Sequence, residues 1–212
     1  MLKVDKNDEP EFFTEFKKKS NPKSWKDFDF EIKGKLKEYM LENEQKIDGN
    51  YFCPYCERQI SVEKSQIEHI KPKDKFPRLF HNYSNLLTGC LENQSCGSIK
   101  GNKWDDKFIN PVENNPEDYF EYSISTGEII PKYKTGIKYE MAIRTIDILN
   151  LNQKKLCESR RILILRSSFK DNGKIVLNTE ILKYIMKFPT LKKFLLISIC
   201  KMNITKFICY IK

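Results

Sequence analysis

The 212-residue chain carries 38 Lys and Arg against 29 Asp and Glu, a formal charge of +9, with seven cysteines and two histidines. That length suffices for one domain of moderate size, or for a small module set within a helical one. The odd cysteine count does not fit a paired secreted framework, residues 1–10 hold no apolar leader core, and no apolar run reaches the ~18 residues of a membrane span, so a soluble cytoplasmic protein is expected.

The basicity is uneven. Residues 170–212 hold nine lysines against Asp171 and Glu180, which leaves only +2 for the first 169 positions. Such an end either concentrates a polyanion such as nucleic acid or simply solvates terminal helices.

Ser20-Asn21-Pro22 reads as a helix start, with Ile32, Leu36, Tyr39 and Met40 following at helical spacing to about Gln45 before Gly49-Asn50 breaks the pattern. Between 51 and 104 the helical period disappears, and Pro72, Pro77 and Gly89 divide short segments, as in a region organised by a metal. Asn110-Pro111 and Asn114-Asn115-Pro116 are turn signals, and residues 119–124 with 126–130 predict a hairpin. Ile143, Ile146 and Leu149, then Leu156 and Leu163, mark two helices joined near Asn150-Leu151-Asn152, and 181–186 and 191–199 predict two shorter ones. The fold class expected is α+β, mainly α-helical: a helical segment over 1–50, a metal-stabilised module over 51–109, and a hairpin with helices over 110–212.

Cys53-Pro54-Tyr55-Cys56 opposes two sulfurs at one point, and Cys90 with Cys96 can complete a tetrahedral structural zinc site. The five-residue gap in the second pair is wider than usual. The rival reading takes Cys-Pro-Tyr-Cys as a glutaredoxin-like redox motif. It needs a preceding βαβ unit, which the helix ending near Gly49 does not provide, and it leaves Cys90 and Cys96 without a role. Cys157, Cys200 and Cys209 have apolar neighbours and are expected as small buried hydrophobes.

His69 lies between the cysteine pairs beside Glu68. In a strand these two side chains point to opposite faces, so the imidazole can activate water for attack on a phosphodiester while the carboxylate takes a hard cation. Lys71 and Lys73 follow as phosphate contacts. His81 is expected at the surface or on phosphate, and Trp104 and Phe108 as packing between module and helices.

Cys-x2-Cys-Glu, Ile67-Glu68-His69-Ile70-Lys71-Pro72-Lys73, Asn85-Leu86-Leu87 and Cys-x5-Cys-Gly-x2-Lys-Gly resemble an HNH endonuclease with a zinc-stabilised ββα-metal core. Tyr55-Cys56-Glu57-Arg58, Pro116-Glu117-Asp118-Tyr119-Phe120 and the run from Thr145 to Asn152 narrow this. They resemble the HNH subunit of Septu and retron-linked anti-phage systems, the PtuB-like proteins, from roughly the first helix to Arg161. The resemblance implies His69 as general base, Asn85 as the residue supporting the histidine loop, and Glu68 as a ligand of catalytic Mg2+ or Mn2+. It implies structural Zn2+ on the four cysteines, and Lys100 and Lys103, with Lys71 and Lys73, as nucleic-acid contacts. It also implies an SMC/ABC-like ATPase partner of the PtuA kind and association with a retron reverse transcriptase and its msDNA. Gly97 stands where many such enzymes carry a further metal ligand, with Asn102 and Asn93 the nearest replacements and Asn102 the favoured one. A non-catalytic zinc-bound nucleic-acid or protein-binding module is therefore the alternative function.

Overall fold

A computed structural model describes residues 1–171, 174–183 and 187–198. Its elements are a mixture of helices and small antiparallel sheets. The start of the chain departs from expectation. Helix α1 spans Glu11–Ser20, and Ser20-Asn21-Pro22 ends it: Asn21 adopts a left-handed conformation at φ 42°, donating its backbone N–H to the Lys17 carbonyl. Asn tolerates that conformation, and a following proline resists continuing the helix. The helix expected to start there begins instead at α2, Phe30–Glu44, where the Asp29 side chain accepts from the Ile32 amide at 2.8 Å. Ile32, Leu36, Met40 and Leu41 form its buried stripe.

Three short strands follow, β1 (Lys46–Ile47), β2 (Asn50–Phe52) and β3 (Gln59–Ile60), paired in that order. The longer ribbon of β4 (Ser65–His69) and β5 (Leu86–Cys90) is antiparallel, with His69 opposite Leu86 and Ser65 opposite Cys90. Side chains alternate across a strand, and here the alternation separates two apolar clusters. Ile67 and Leu86 join Phe13, Phe28, Ile32, Leu36, Met40, Phe80 and Tyr83 on one face. Leu87 lies with Ile70, Phe108 and Ile109 on the other, and Cys90, at the strand end, joins that cluster with the other three cysteines. Gln45, after the end of α2, fastens the ribbon: its side chain accepts from the Thr88 amide at 2.8 Å and donates to the Thr88 carbonyl at 2.7 Å.

The short helix α3 (Cys96–Lys100) precedes the predicted hairpin, formed by β6 (Phe120–Tyr122) and β7 (Ile129–Pro131). The two predicted helices are α4 (Ile137–Leu149) and α5 (Lys154–Arg166). Their junction is polar for a reason. Asn150 ends α4 in a left-handed conformation, and the Asn152 side chain bonds both the amide and the carbonyl of Ile129, at 2.8 Å each, which joins the helices to β7. Beyond Arg166 an unanticipated hairpin, β8 (Ser168–Asp171) and β9 (Lys174–Leu177), precedes α6 (Thr179–Lys183) and a helical stretch over 189–198. Cys200, Cys209 and the last three lysines lie outside the described residues. Cys157 is half-buried rather than sealed, its thiol donating to the Asn152 carbonyl at 3.3 Å. Among the described residues, no helix is long and apolar enough to cross a membrane.

Glu57 links the first cysteine pair to the C-terminal part of the chain. Its buried carboxylate accepts from the Met1 ammonium at 2.6 Å, Tyr122 Oη at 2.9 Å, and the amide and hydroxyl of Thr190 at 2.8 and 2.5 Å. Burial opposes the charge, yet the ammonium and the Thr190 donors hold the carboxyl below its ordinary range. Tyr122→Phe removes one donor to a buried anion. It is expected to cost about 1–2 kcal/mol, seen as a melting temperature lower by roughly 2–8 °C.

Candidate active site and metal centre

The ligand atoms of Cys53, Cys56, Cys90 and Cys96 all lie within 4.8 Å of one another, and all four residues are buried. They pair across the sequence, Cys53 with Cys96 at 3.9 Å and Cys56 with Cys90 at 3.7 Å between sulfurs. A tetrahedral ion with bonds of ~2.3 Å to sulfur requires edges of about 3.8 Å, so the donor set could hold zinc. Two left-handed residues turn the chain at the cluster, Glu57 at φ 61° and Cys96 at φ 58°. The wide gap between Cys90 and Cys96 is closed from outside: the Arg58 guanidinium pairs with Glu92, and Asn150 donates to the Gln94 carbonyl at 2.8 Å.

The thiols share charge unequally. Burial resists ionisation of Cys53, but hydrogen bonds from the other three carry it well below the ordinary thiol value. Cys56 and Cys96, bonded to that sulfur, are pushed well above it. A divalent cation relieves this competition by stabilising every thiolate at once. The same burial leaves little access for the exchange chemistry of a redox motif, which attacks through an exposed thiolate.

His69 ends β4 and is only 8% exposed. Its Nε2 lies 2.9 Å from the Phe80 carbonyl oxygen. A carbonyl only accepts, so Nε2 carries the proton and Nδ1 keeps its lone pair. Nδ1 is not among the buried polar atoms lacking a partner. Burial, opposed by the Phe80 bond and aided by Lys73 and Lys100, lowers the imidazole pKa to about 4. The ring is therefore neutral at ordinary pH.

Three side chains hold this arrangement. Asn85 accepts from the Lys71 amide at 2.8 Å and donates to the carbonyls of Lys71 and Leu79 at 3.0 and 3.2 Å. It thus ties the backbone leaving His69 to the backbone that presents the Phe80 carbonyl. Trp25 meets the imidazole edge-on, with ring centroids 4.7 Å apart. It was absent from the sequence reading, although Ser24-x-x-Asp27 signals the reciprocal cap that builds its turn. The third is Lys100.

Lys100 was expected to face nucleic acid. It is instead 1% exposed, because its ammonium is fully engaged inside the module, donating to Glu68 Oε1 and to the His69 carbonyl at 2.7 Å each. Glu68 is turned to this side of β4, opposite His69, as strand alternation requires. Burial raises its pKa despite the opposing influence of Lys100. Asn102 is exposed and donates to Asp74 at 2.6 Å, so no hydrogen bond brings it to Glu68. In this arrangement Glu68 and Asn102 do not fit a second, hard divalent cation: one carboxylate already holds a cation, and the amide points elsewhere. Lys73 and Lys103 are exposed, and the Lys71 ammonium lies 5.9 Å from the Phe76 ring and 5.7 Å from that of Trp104. His81 is half-buried against Phe80, with Nδ1 lacking a partner.

No protein-family model matches the chain. It is 32% identical over 156 residues to a protein designated the HNH endonuclease of retron Vc95 from Vibrio cholerae, which covers 66% of this chain and 75% of that protein. It is 32% identical to the Septu protein PtuB of Bacillus thuringiensis, over 55% of this chain and 42% of the relative. A protein designated the HNH endonuclease of retron Ec83 from Escherichia coli is 27% identical over 77% of this chain and 79% of its own length. Similarity of that level over three quarters of a relative's length places this chain in the PtuB-like HNH family of Septu and retron-linked proteins.

Proposed function

We propose that the protein is an endonuclease of anti-phage defence that hydrolyses nucleic-acid phosphodiesters with His69 as general base. The observation that carries this reading is the fixed tautomer of His69. With its proton committed to the Phe80 carbonyl, the ring cannot turn freely, and Nδ1 is the basic nitrogen left for water. Nδ1 takes the proton of a water molecule, whose oxygen attacks phosphorus as the bond to the departing oxygen breaks. Lys73, whose charge acts on the imidazole, and Lys71 supply positive charge to the phosphate. The order of two antiparallel strands and a helix, β4–β5–α3, supports the ββα reading of the module, with zinc on the four cysteines as its structural ion. An ATPase of the PtuA kind as partner, a retron reverse transcriptase with its msDNA, and a cytoplasmic location follow from the family resemblance.

One observation favours the non-catalytic alternative, namely that Glu68 is already neutralised by Lys100. Cleavage assays on DNA and tRNA separate the two. His69→Ala is expected to lower the rate by about 10²–10⁴-fold. Equal cleavage with and without the imidazole would end the assignment of His69 as base, and no cleavage by the unaltered protein would favour the non-catalytic module.

The pH dependence tests the tautomer independently. A base whose pKa is lowered from 6.5 to about 4 is present at every pH above that range and lost only below it. The acid limb of kcat/KM is expected near pH 4. A limb at the ordinary histidine value would show that the working imidazole is not the buried one seen here.

Cys90→Ser is expected to abolish zinc binding and to unfold the module, because metal binding in such small modules is largely folding free energy. The expected readouts are loss of near-stoichiometric zinc and of the cooperative melting transition. Unchanged zinc content and melting would remove the structural role.

A further inference from the structure

The second cation of the module is built in. Lys100 belongs to α3, the helix that Cys96 opens, and its side chain reaches β4 to grip Glu68 Oε1 and the His69 carbonyl at the same distance. The other carboxylate oxygen faces Gly97, where an added Cβ would fall inside the contact radius of Glu68 Oε2. The missing side chain at 97 therefore leaves the volume that Glu68 occupies when it leans onto α3. Both groups are buried, and an unpaired charge there is strongly disfavoured. A glycine, a lysine and a glutamate thus form one unit, packed against the strand end that carries the imidazole.

We propose that Lys100 is a resident cation that closes Glu68 in the resting protein, so that the ammonium and a divalent metal ion are mutually exclusive occupants of this carboxylate. The same ammonium holds the His69 carbonyl, so the occupant of Glu68 and the setting of the imidazole are coupled. The consequence for cleavage rests on the nuclease reading, whereas the exclusion itself does not.

The test is Mn2+ binding to the full chain, followed by electron paramagnetic resonance without nucleic acid, with zinc content checked in every variant. Lys100→Met is expected to tighten Mn2+ at least tenfold, and adding Glu68→Gln is expected to erase that gain. Affinity within twofold of the unaltered protein, or a gain that survives Glu68→Gln, overturns the proposal. Should Lys100→Met fail to fold, Gly97→Ala gives a second route: its methyl group drives Glu68 off the ammonium while every charge is kept. The same tenfold gain is expected there, and unchanged affinity is equally fatal. Because no cleavage is read, a His69→Ala variant that cuts as fast as the unaltered protein would end the assignment of His69 as base and leave this proposal standing.

Discussion

The β4–β5 ribbon has two faces, and each belongs to a different apolar cluster. A two-stranded ribbon alone is marginal in water, so its register depends on what lies against both faces. A slip of one residue would exchange Glu68 for His69, placing the imidazole at Lys100 and the carboxylate among Trp25, Phe28 and Phe80. Neither exchange is tolerable: the buried Lys100 ammonium would lose its counter-charge on one side, and an acid would enter an aromatic cluster on the other. Gln45 at the middle of β5 and Asn85 at the ribbon end, both bonding backbone amides and carbonyls, hold the register.

The sulfur cluster acts on this ribbon through its connections. Cys90 ends β5 and Cys96 opens α3, so an ion joining them fixes the angle between strand and helix. Lys100, at the far end of the same short helix, then touches the His69 carbonyl. A five-residue helix has little stability of its own. Its placement comes from the sulfurs at one end and the buried ammonium at the other. The cysteine cluster and the contact to the His69 carbonyl are thus separated by a single turn of helix.

Much of this was legible in the sequence because the chemistry is local. Four cysteines within a short stretch and one histidine beside a carboxylate announced themselves, and alternation alone placed Glu68 and His69 on opposite faces. The α4–α5 pair and the β6–β7 hairpin also follow from spacing and turn residues. Asn21 misled because Ser-Asn-Pro serves a helix end as readily as a helix start, and only the left-handed φ of Asn21 decides between them. Lys100 misled for a different reason. A lysine four residues after a cysteine reads as surface charge, and its burial depends on Glu68, 32 positions away, together with the missing side chain at 97. No local pattern contains that information.

Trp25 was passed over on similar grounds, since its partner, His69, is 44 positions on, yet it explains why the imidazole is neutral. Edge-on contact with an indole and a carbonyl on Nε2 give the ring apolar walls and one fixed acceptor, while Lys73 and Lys100 add positive charge nearby. Only the Phe80 bond and the more distant Asp74 favour protonation, and burial outweighs them. A histidine in open solvent would be partly protonated near neutrality and free to flip. This one gives up the proton-accepting strength of a higher pKa for a single tautomer in one orientation, so Nδ1 remains the nitrogen that can receive a proton from water. For the general base we propose, that exchange suits a site in which geometry, rather than basicity, limits how often water is activated.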